Sequence, residues 1–146
     1  MIHSQNEKSV VLLNPASYTN GATASGSVDT LGYNYCSIDV VLDSVAAATN
    51  NPDKFIISDG TTTVLSNATA LTGGTGDTDF TIPNMLTNSA NIIRVDVDLK
   101  AGKERFIHLE INPVTTQIIG AVARLSRAES TPDTNAELGA QEQVIL

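Results

Sequence analysis

Residues 91–112 (NIIRVDVDLKAGKERFIHLEIN) constrain the fold most, because apolar and polar side chains alternate along both halves of this stretch. A period of two is typical of a β-strand with one buried face. Gly102 allows the positive φ that short hairpin loops require. The pattern therefore predicts two antiparallel strands joined by a tight turn. The aliphatic positions are Ile93, Val95, Val97 and Leu99 in the first half and Ile107, Leu109 and Ile111 in the second.

Further short strands are predicted along the chain, each bounded by turn residues. Helical propensity is an alternative for the last of them, but Gly120 and the adjacent Ile118 and Ile119 favour a strand. A Gly/Thr/Asn-rich loop is predicted at 66–79. The predicted strands are 9–13, ended by Asn14-Pro15; a weak strand at 22–28; 33–43; 54–58, ended by Asp59-Gly60, with 61–65 as its hairpin partner; and 115–126.

Short strands separated by turns predict an all-β fold, either a single antiparallel β-sandwich or a jelly-roll-like barrel. A length of 146 residues favours one domain. We assign that domain to residues 8–127, with flexible arms at 1–7 and 128–146. The sequence contains no Trp and 4% aromatic residues, so the core is predicted to be aliphatic.

The net charge and the cysteine content disfavour or exclude several classes of partner and of binding site. The formal net charge of −8 disfavours nucleic acids and anionic membranes as partners. No signal peptide or membrane-spanning run is predicted, which indicates synthesis in a cytoplasm. Cys36 is the single cysteine, so an intrachain disulfide and a cysteine-based zinc site are both excluded. Its position in a strand pattern predicts a buried structural thiol.

Candidate catalytic and metal-binding residues are few. The histidines are His3 and His108, and neither has the spacing of a metal site; His108 is expected to be a half-exposed strand residue. Residues 73–79 (GGTGDTD) favour a mobile loop, with an ion-binding loop as the minority alternative. We therefore predict no catalytic residue, no metal site, no cofactor and no enzyme activity. Asp96, Asp98 and Glu110 are expected to form a solvated charge pattern across the hairpin rather than a catalytic pair.

The two arms carry the remaining unusual feature. The C-terminal arm is polar and acidic but contains the apolar residues Val144, Ile145 and Leu146. Disorder is one interpretation. The sharper hypothesis is that this arm crosses to a neighbouring subunit and inserts its apolar residues there, with Ile2 acting similarly in the N-terminal arm.

The segments PASYTNGATASGSVDTLGY, FIISDGTTTV and KERFIHLEIN resemble the small auxiliary capsid proteins, called decoration or cement proteins, of tailed bacteriophages. The resemblance is one of overall style and extends over residues 8–127. It implies a β-sandwich or barrel that forms a homotrimer or another homo-oligomer, binds the major capsid protein on the outside of the virion, and needs no cofactor. The expected function is stabilisation of the assembled capsid.

Two other functions stay open at this stage. One is a phage tail or fibre module that recognises a host surface glycan, although the scarcity of aromatic residues argues against sugar stacking. The other is a bacterial β-sandwich accessory domain with calcium bound in the loop at 73–79.

Overall fold

The computed structural model describes residues 7–47, 51–85, 91–100 and 102–128. Eight β-strands form in these ranges, and a short 3-10 turn, Leu65–Asn67, lies between the fourth and the fifth. The strands are β1 (Lys8–Tyr18), β2 (Ala24–Asp29), β3 (Tyr33–Leu42), β4 (Lys54–Gly60), β5 (Thr69–Thr75), β6 (Asn91–Asp98), β7 (Phe106–Asn112) and β8 (Gln117–Ala128).

The strands pair in a nested order. β1 pairs with β8, β2 with β7, β3 with β6 and β4 with β5, and every pair is antiparallel. The first four strands thus pair in reverse order with the last four, as in one long hairpin, and the paired strands are divided between two sheets. Sheet A has the order β1-β8-β3-β6 and sheet B the order β2-β7-β4-β5. This is the strand order of an eight-stranded jelly roll, so the predicted antiparallel sandwich is confirmed.

The core lies between the two sheets and is almost entirely aliphatic. Side chains of successive strand residues point to opposite faces, so one alternate set from each strand is buried. β3 and β8 both show this alternation. The inward residues of β3 are Cys36, Ile38, Val40 and Leu42; those of β7 are Ile107, Leu109 and Ile111; and those of β8 are Ile119, Ala121, Ala123 and Leu125.

The predicted hairpin at 91–112 is wrong, although both of its strands exist. β6 belongs to sheet A and pairs with β3, whereas β7 belongs to sheet B and pairs with β2 and β4. The chain passes from one sheet to the other between β6 and β7, and Gly102 takes the expected positive φ of 72°. Alternation identifies a strand and its buried face, but it does not identify the strand's partner.

β1 is longer than predicted, because the strand continues through Asn14-Pro15 instead of ending there. The pairing of β1 with β8 shifts register between Val11 and Leu13 and again between Leu13 and Ala16. Such bulges leave a residue outside the hydrogen-bond ladder, and β1 is an edge strand of sheet A. A proline, which lacks a backbone N–H, is tolerated at an edge strand or a bulge.

The partner of β4 is also different from the predicted one. Residues 61–65 do not pair with it; Thr69–Thr75, which was predicted to be loop, does. The predicted turn Asp59-Gly60 is part of β4 and pairs with β7. Gly73 takes a φ of 85° within β5, near a register shift between Ile56 and Ser58, so its glycine serves an irregular strand rather than a loop.

The division into a domain and two arms stays a prediction. Residues 1–6 and 129–146 lie outside the described ranges, and so do Ile2, Val144, Ile145 and Leu146.

Candidate binding surface

The outer face of sheet A exposes five large aliphatic side chains, which we call the aliphatic face. They are between 41% and 66% exposed, and every strand of the sheet contributes at least one. Isolated apolar residues are normal on protein surfaces, but a contiguous group is typical of an interaction site. The aliphatic face consists of Val11 on β1, Ile118 and Val122 on β8, Val41 on β3 and Ile92 on β6.

Strand register brings these residues together. Val41 is directly opposite Ile92 on one side and Gly120 on the other. Val11 is directly opposite Val122. The aliphatic face therefore forms adjoining rows across the sheet rather than scattered positions.

The surface is concave beside Gly120. That residue presents no side chain, and the Pro15 ring lies so close that a Cβ added at Gly120 would be 3.1 Å from Pro15 Cγ. The depression has a volume of about 710 Å³. It is lined by all five residues of the aliphatic face and also by Leu13, Pro15, Asp39, Asp43, Gly120 and Ala121. Such a depression suits the insertion of an apolar side chain from a partner.

A cluster of three charged side chains borders the aliphatic face. Arg94 donates from Nε and Nη2 to the two carboxylate oxygens of Asp39, at 2.6 and 3.0 Å, and Arg124 Nη2 donates to Asp39 Oδ2 at 3.0 Å. The hydrogen bonds from Arg94 are the main cause that holds the pKa of the Asp39 carboxyl below its ordinary value. Because two guanidinium groups share one carboxylate, the cluster keeps one unit of positive charge.

His108 is buried, at 1% exposure, and the expectation of a half-exposed residue is wrong. Its ring lies on the outer side of sheet B beneath the connection between β4 and β5, where Nε2 is 3.0 Å from the carbonyl oxygen of Thr62. No pattern in the sequence indicates that this connection covers the sheet. His3 lies outside the described residues.

The three acidic residues predicted to share one face are divided between the sheets. Asp96 and Asp98 lie on β6 in sheet A, whereas Glu110 lies on β7 in sheet B. Glu110 Oε1 accepts a hydrogen bond from Lys54 Nζ at 2.6 Å instead. The expected charge pattern across a hairpin is therefore wrong.

Residues 73–79, which include the end of β5, use two carboxylates to hold nearby backbone. Asp77 Oδ1 accepts from the Ile82 N–H and Asp79 Oδ2 from the Thr75 N–H, both at 2.9 Å. Each contact uses one of the two oxygens of its carboxylate. Within residues 7–47, 51–85, 91–100 and 102–128, no three His, Cys, Asp or Glu side chains lie close enough to hold a metal ion.

Cys36 is fully buried, as predicted, and burial raises the pKa of its thiol to about 12. Because the thiolate is the reactive form, the folded protein should not react with Ellman's reagent at pH 8. Complete labelling is expected in guanidinium chloride. Rapid labelling without denaturant would show that β3 does not have its inner face in a closed core.

The sequence does contain a signal for the aliphatic face. Each strand of sheet A carries at least two adjacent aliphatic residues instead of a strict alternation, and β1 carries four, Val10 to Leu13. Adjacent side chains point to opposite faces. One member of each pair is therefore outward. The pairs are Val10-Val11, Val40-Val41, Ile92-Ile93 and Ile118-Ile119.

No protein-family model matches the chain, and no curated protein matches it in sequence. Among solved structures, a GH115 4-O-methyl-α-glucuronidase with specificity for decorated arabinogalactans is 14% identical with a TM-score of 0.39; the match covers 84% of this chain and 16% of the glucuronidase chain. The K2 cleaved adhesin domain of Lys-gingipain is 15% identical with a TM-score of 0.42, covering 84% of this chain and 83% of that domain. Similarities this low carry no argument about function.

In the part of the chain that the structure describes, no helix has the length and apolar character needed to cross a membrane.

Proposed function

We propose that this chain is a structural subunit of a bacteriophage virion, a decoration protein that binds the outside of the assembled capsid and stabilises it. The observation that carries the proposal is the aliphatic face, which spans all four strands of sheet A. The partners are the major capsid protein and further copies of the same chain, in a homo-oligomer on the capsid exterior. No cofactor or catalytic residue takes part.

The size of the aliphatic face suits a subunit that acts in many copies. Complete burial of one aliphatic side chain contributes about 1.5–3 kcal/mol, and these five are already about half buried, so one face contributes about 5 kcal/mol. Association costs at least about 4 kcal/mol in lost translational and rotational freedom. A single contact through this face is therefore weak, whereas many subunits that bind both the capsid and one another on a shell reinforce each other's binding.

Charge and fold are compatible with this role. A net charge of −8 repels nucleic-acid phosphates, which favours the outside of a DNA-filled shell over its inside. Jelly rolls occur in viral capsid domains and also in lectins, so the fold by itself does not choose between a capsid protein and a host-recognition module.

Co-sedimentation tests the proposal. Purified protein is mixed with DNA-free shells built from the major capsid protein of the same phage and then centrifuged. Wild-type protein should sediment with the shells, and Ile92→Arg, which places a charge in the aliphatic face, should bind at least tenfold more weakly. Val64→Arg is the matched control, because Val64 is similarly exposed but lies between β4 and β5.

Two results would overturn the proposal. One is a wild-type protein that stays in the supernatant at every shell concentration while it binds host cells, which would favour the tail or fibre module. The other is equal binding of the wild-type and Ile92→Arg proteins, which would remove the aliphatic face from the contact.

A further inference from the structure

We propose that the aliphatic face is the docking site for a second copy of this chain, which binds through its own residues 142–146. This inference rests on the proposed function, because it identifies the contact by which copies associate. The occupant comes from a part of the chain that lies outside the described residues, and the receptor surface is fully described.

The sequence of the occupant matches an outward strand face. Glu142, Val144 and Leu146 are spaced two residues apart. In an extended strand, alternate side chains point the same way and lie about 6.8 Å apart, so these three would present an acid followed by two aliphatic groups.

The outer face of sheet A presents the complementary order. On β6, Arg94 is followed by Ile92, and on β8, Arg124 is followed by Val122, then Gly120 and Ile118. All of them are outward residues two positions apart, so basic and aliphatic groups recur at the same spacing of about 6.8 Å. An extended segment can set Glu142 against the guanidinium groups while Val144 and Leu146 enter the depression beside Gly120.

The local charge of Arg94 and Arg124 favours the same pairing, although the net charge of −8 on each copy opposes association. Residues 129–146 contain four acidic residues and no lysine or arginine; the acids are Glu129, Asp133, Glu137 and Glu142. The Asp39–Arg94–Arg124 cluster holds one unit of positive charge in excess. The acids of the segment are thus attracted to the two guanidinium groups, whereas Asp43, which also lines the depression, and Asp96, whose charge acts on Arg94, oppose their approach.

The connecting chain is long enough to reach a neighbour. β8 ends at Ala128, and residues 129–141 lie between it and the docking segment. Fully extended, that connection spans about 43 Å. A four-stranded sheet is only about 19 Å wide, so the connection passes beyond the edge of its own sheet.

The width of the aliphatic face favours a second copy as the occupant over residues 142–146 of the same chain. One extended segment is a single strand wide, whereas the aliphatic face has members on all four strands. A segment folded back on its own sheet would leave most of the face in water. A neighbouring subunit brings its body as well. The outer face of sheet A, about 19 Å wide and about 35 Å long on average over its four strands, offers about 665 Å². This area is somewhat below the roughly 800 Å² per partner of a stable interface, and the docking segment adds to it.

Sedimentation equilibrium over a range of protein concentrations tests this contact with the full chain. Wild-type protein should form an oligomer, and the double variant Val144→Ser/Leu146→Ser should have a dissociation constant at least tenfold higher. Ile92→Arg should weaken association similarly from the receptor side. Gln143→Ser is the control, because this side chain points away from the face in an extended segment, and it should associate like wild type.

A peptide of residues 137–146 (ELGAQEQVIL) provides the second readout. It should bind the double variant, whose face is unoccupied, and should not bind the double variant that also carries Ile92→Arg. A wild-type monomer at every concentration, with peptide binding only to the double variant, would show that the segment covers its own sheet and would overturn the proposal. Unchanged association of the double variant would overturn it too.

Failure here is distinguishable from failure of the proposed function. If the double variant still sediments with shells and Ile92→Arg does not, the aliphatic face binds the capsid directly and only the assignment of the occupant fails.

Discussion

Replacing Gly26 with alanine is expected to destabilise the protein by about 3–5 kcal/mol or to prevent folding altogether. A Cβ at this position would lie 2.0 Å from the carbonyl oxygen of Leu12. Leu12 sits at a register shift of β1, so the bulged backbone of sheet A presses directly on β2 of sheet B. A backbone carbonyl cannot rotate away as a flexible side chain can, and the two sheets would have to separate.

Replacing a glycine in a strand also has a stabilising effect, but this effect is smaller than the clash. Glycine in a strand costs about 0.5–1 kcal/mol relative to alanine, so relief of that cost does not compensate for the clash. Urea denaturation followed by circular dichroism measures the difference, and the soluble fraction on expression reports a variant that does not fold. Ser25→Ala, at an exposed position of the same strand, should change the unfolding free energy by less than about 0.5 kcal/mol. An equal midpoint for Gly26→Ala and wild type would contradict the close approach of β1 and β2.

Alanine at Ile119 is expected to cost about 2–5 kcal/mol, whereas alanine at Ile118 should cost about 0.5 kcal/mol or less. The two residues are neighbours of the same type, but Ile119 is 0% exposed and Ile118 is 53% exposed. Loss of Ile119 leaves a cavity between the sheets, and loss of Ile118 removes atoms that already contact water. The pair therefore separates burial from strand propensity, which is the same for both.

Urea denaturation of both variants provides the measurement, and Ile119→Val, which should cost about 0.5–1.5 kcal/mol, keeps the test usable if Ile119→Ala does not fold. Equal costs for the two alanine variants, or a larger cost at Ile118, would show that β8 faces the other way or is not a strand. Either result would also remove Ile118 from the aliphatic face.

Strands and their buried faces were predictable because alternation depends on each strand alone. Ile38 and Val40 on β3, and Ile119 and Ala121 on β8, occupy the inward positions that the period of two indicates. The jelly-roll order was predictable only as a class. Strand pairing in this fold joins the two ends of the chain, as β1 with β8, and no local pattern encodes a partner so distant.

Turn residues misled the prediction where the sheets are irregular. Pro15 suggests the end of a strand, but the bulges of β1 accommodate it. Asp59-Gly60 suggests a hairpin turn, yet both residues pair with β7. Gly73 suggests a loop, although its positive φ belongs to β5. In each case a tertiary contact outweighed the local preference of the residue.

The sequence indicates the aliphatic face more directly than it indicates the strand order. Adjacent aliphatic pairs such as Ile92-Ile93 and Ile118-Ile119 mark strands that are apolar on both faces, and in a two-layer sandwich only one face can be buried. The cluster of Asp39, Arg94 and Arg124 could not be predicted from the sequence. These residues meet only through the register of β3 with β6 and β8. The burial of His108 could not be predicted either, because the connection that covers this residue has no regular sequence pattern.

The most direct test of the aliphatic face as a docking surface is the labelling rate of a thiol introduced within it. Cys36 is buried and should not react with the label. In the Ile92→Cys and Val64→Cys variants, the labelling rate therefore measures the exposure of the introduced thiol alone. Both should react readily with a maleimide in the free protein under dissociating conditions. On DNA-free shells, we expect the Ile92→Cys thiol to react at least tenfold more slowly and the Val64→Cys thiol to react at its free rate. An Ile92→Cys thiol that reacts equally fast in free and shell-bound protein would contradict the proposed role of this surface.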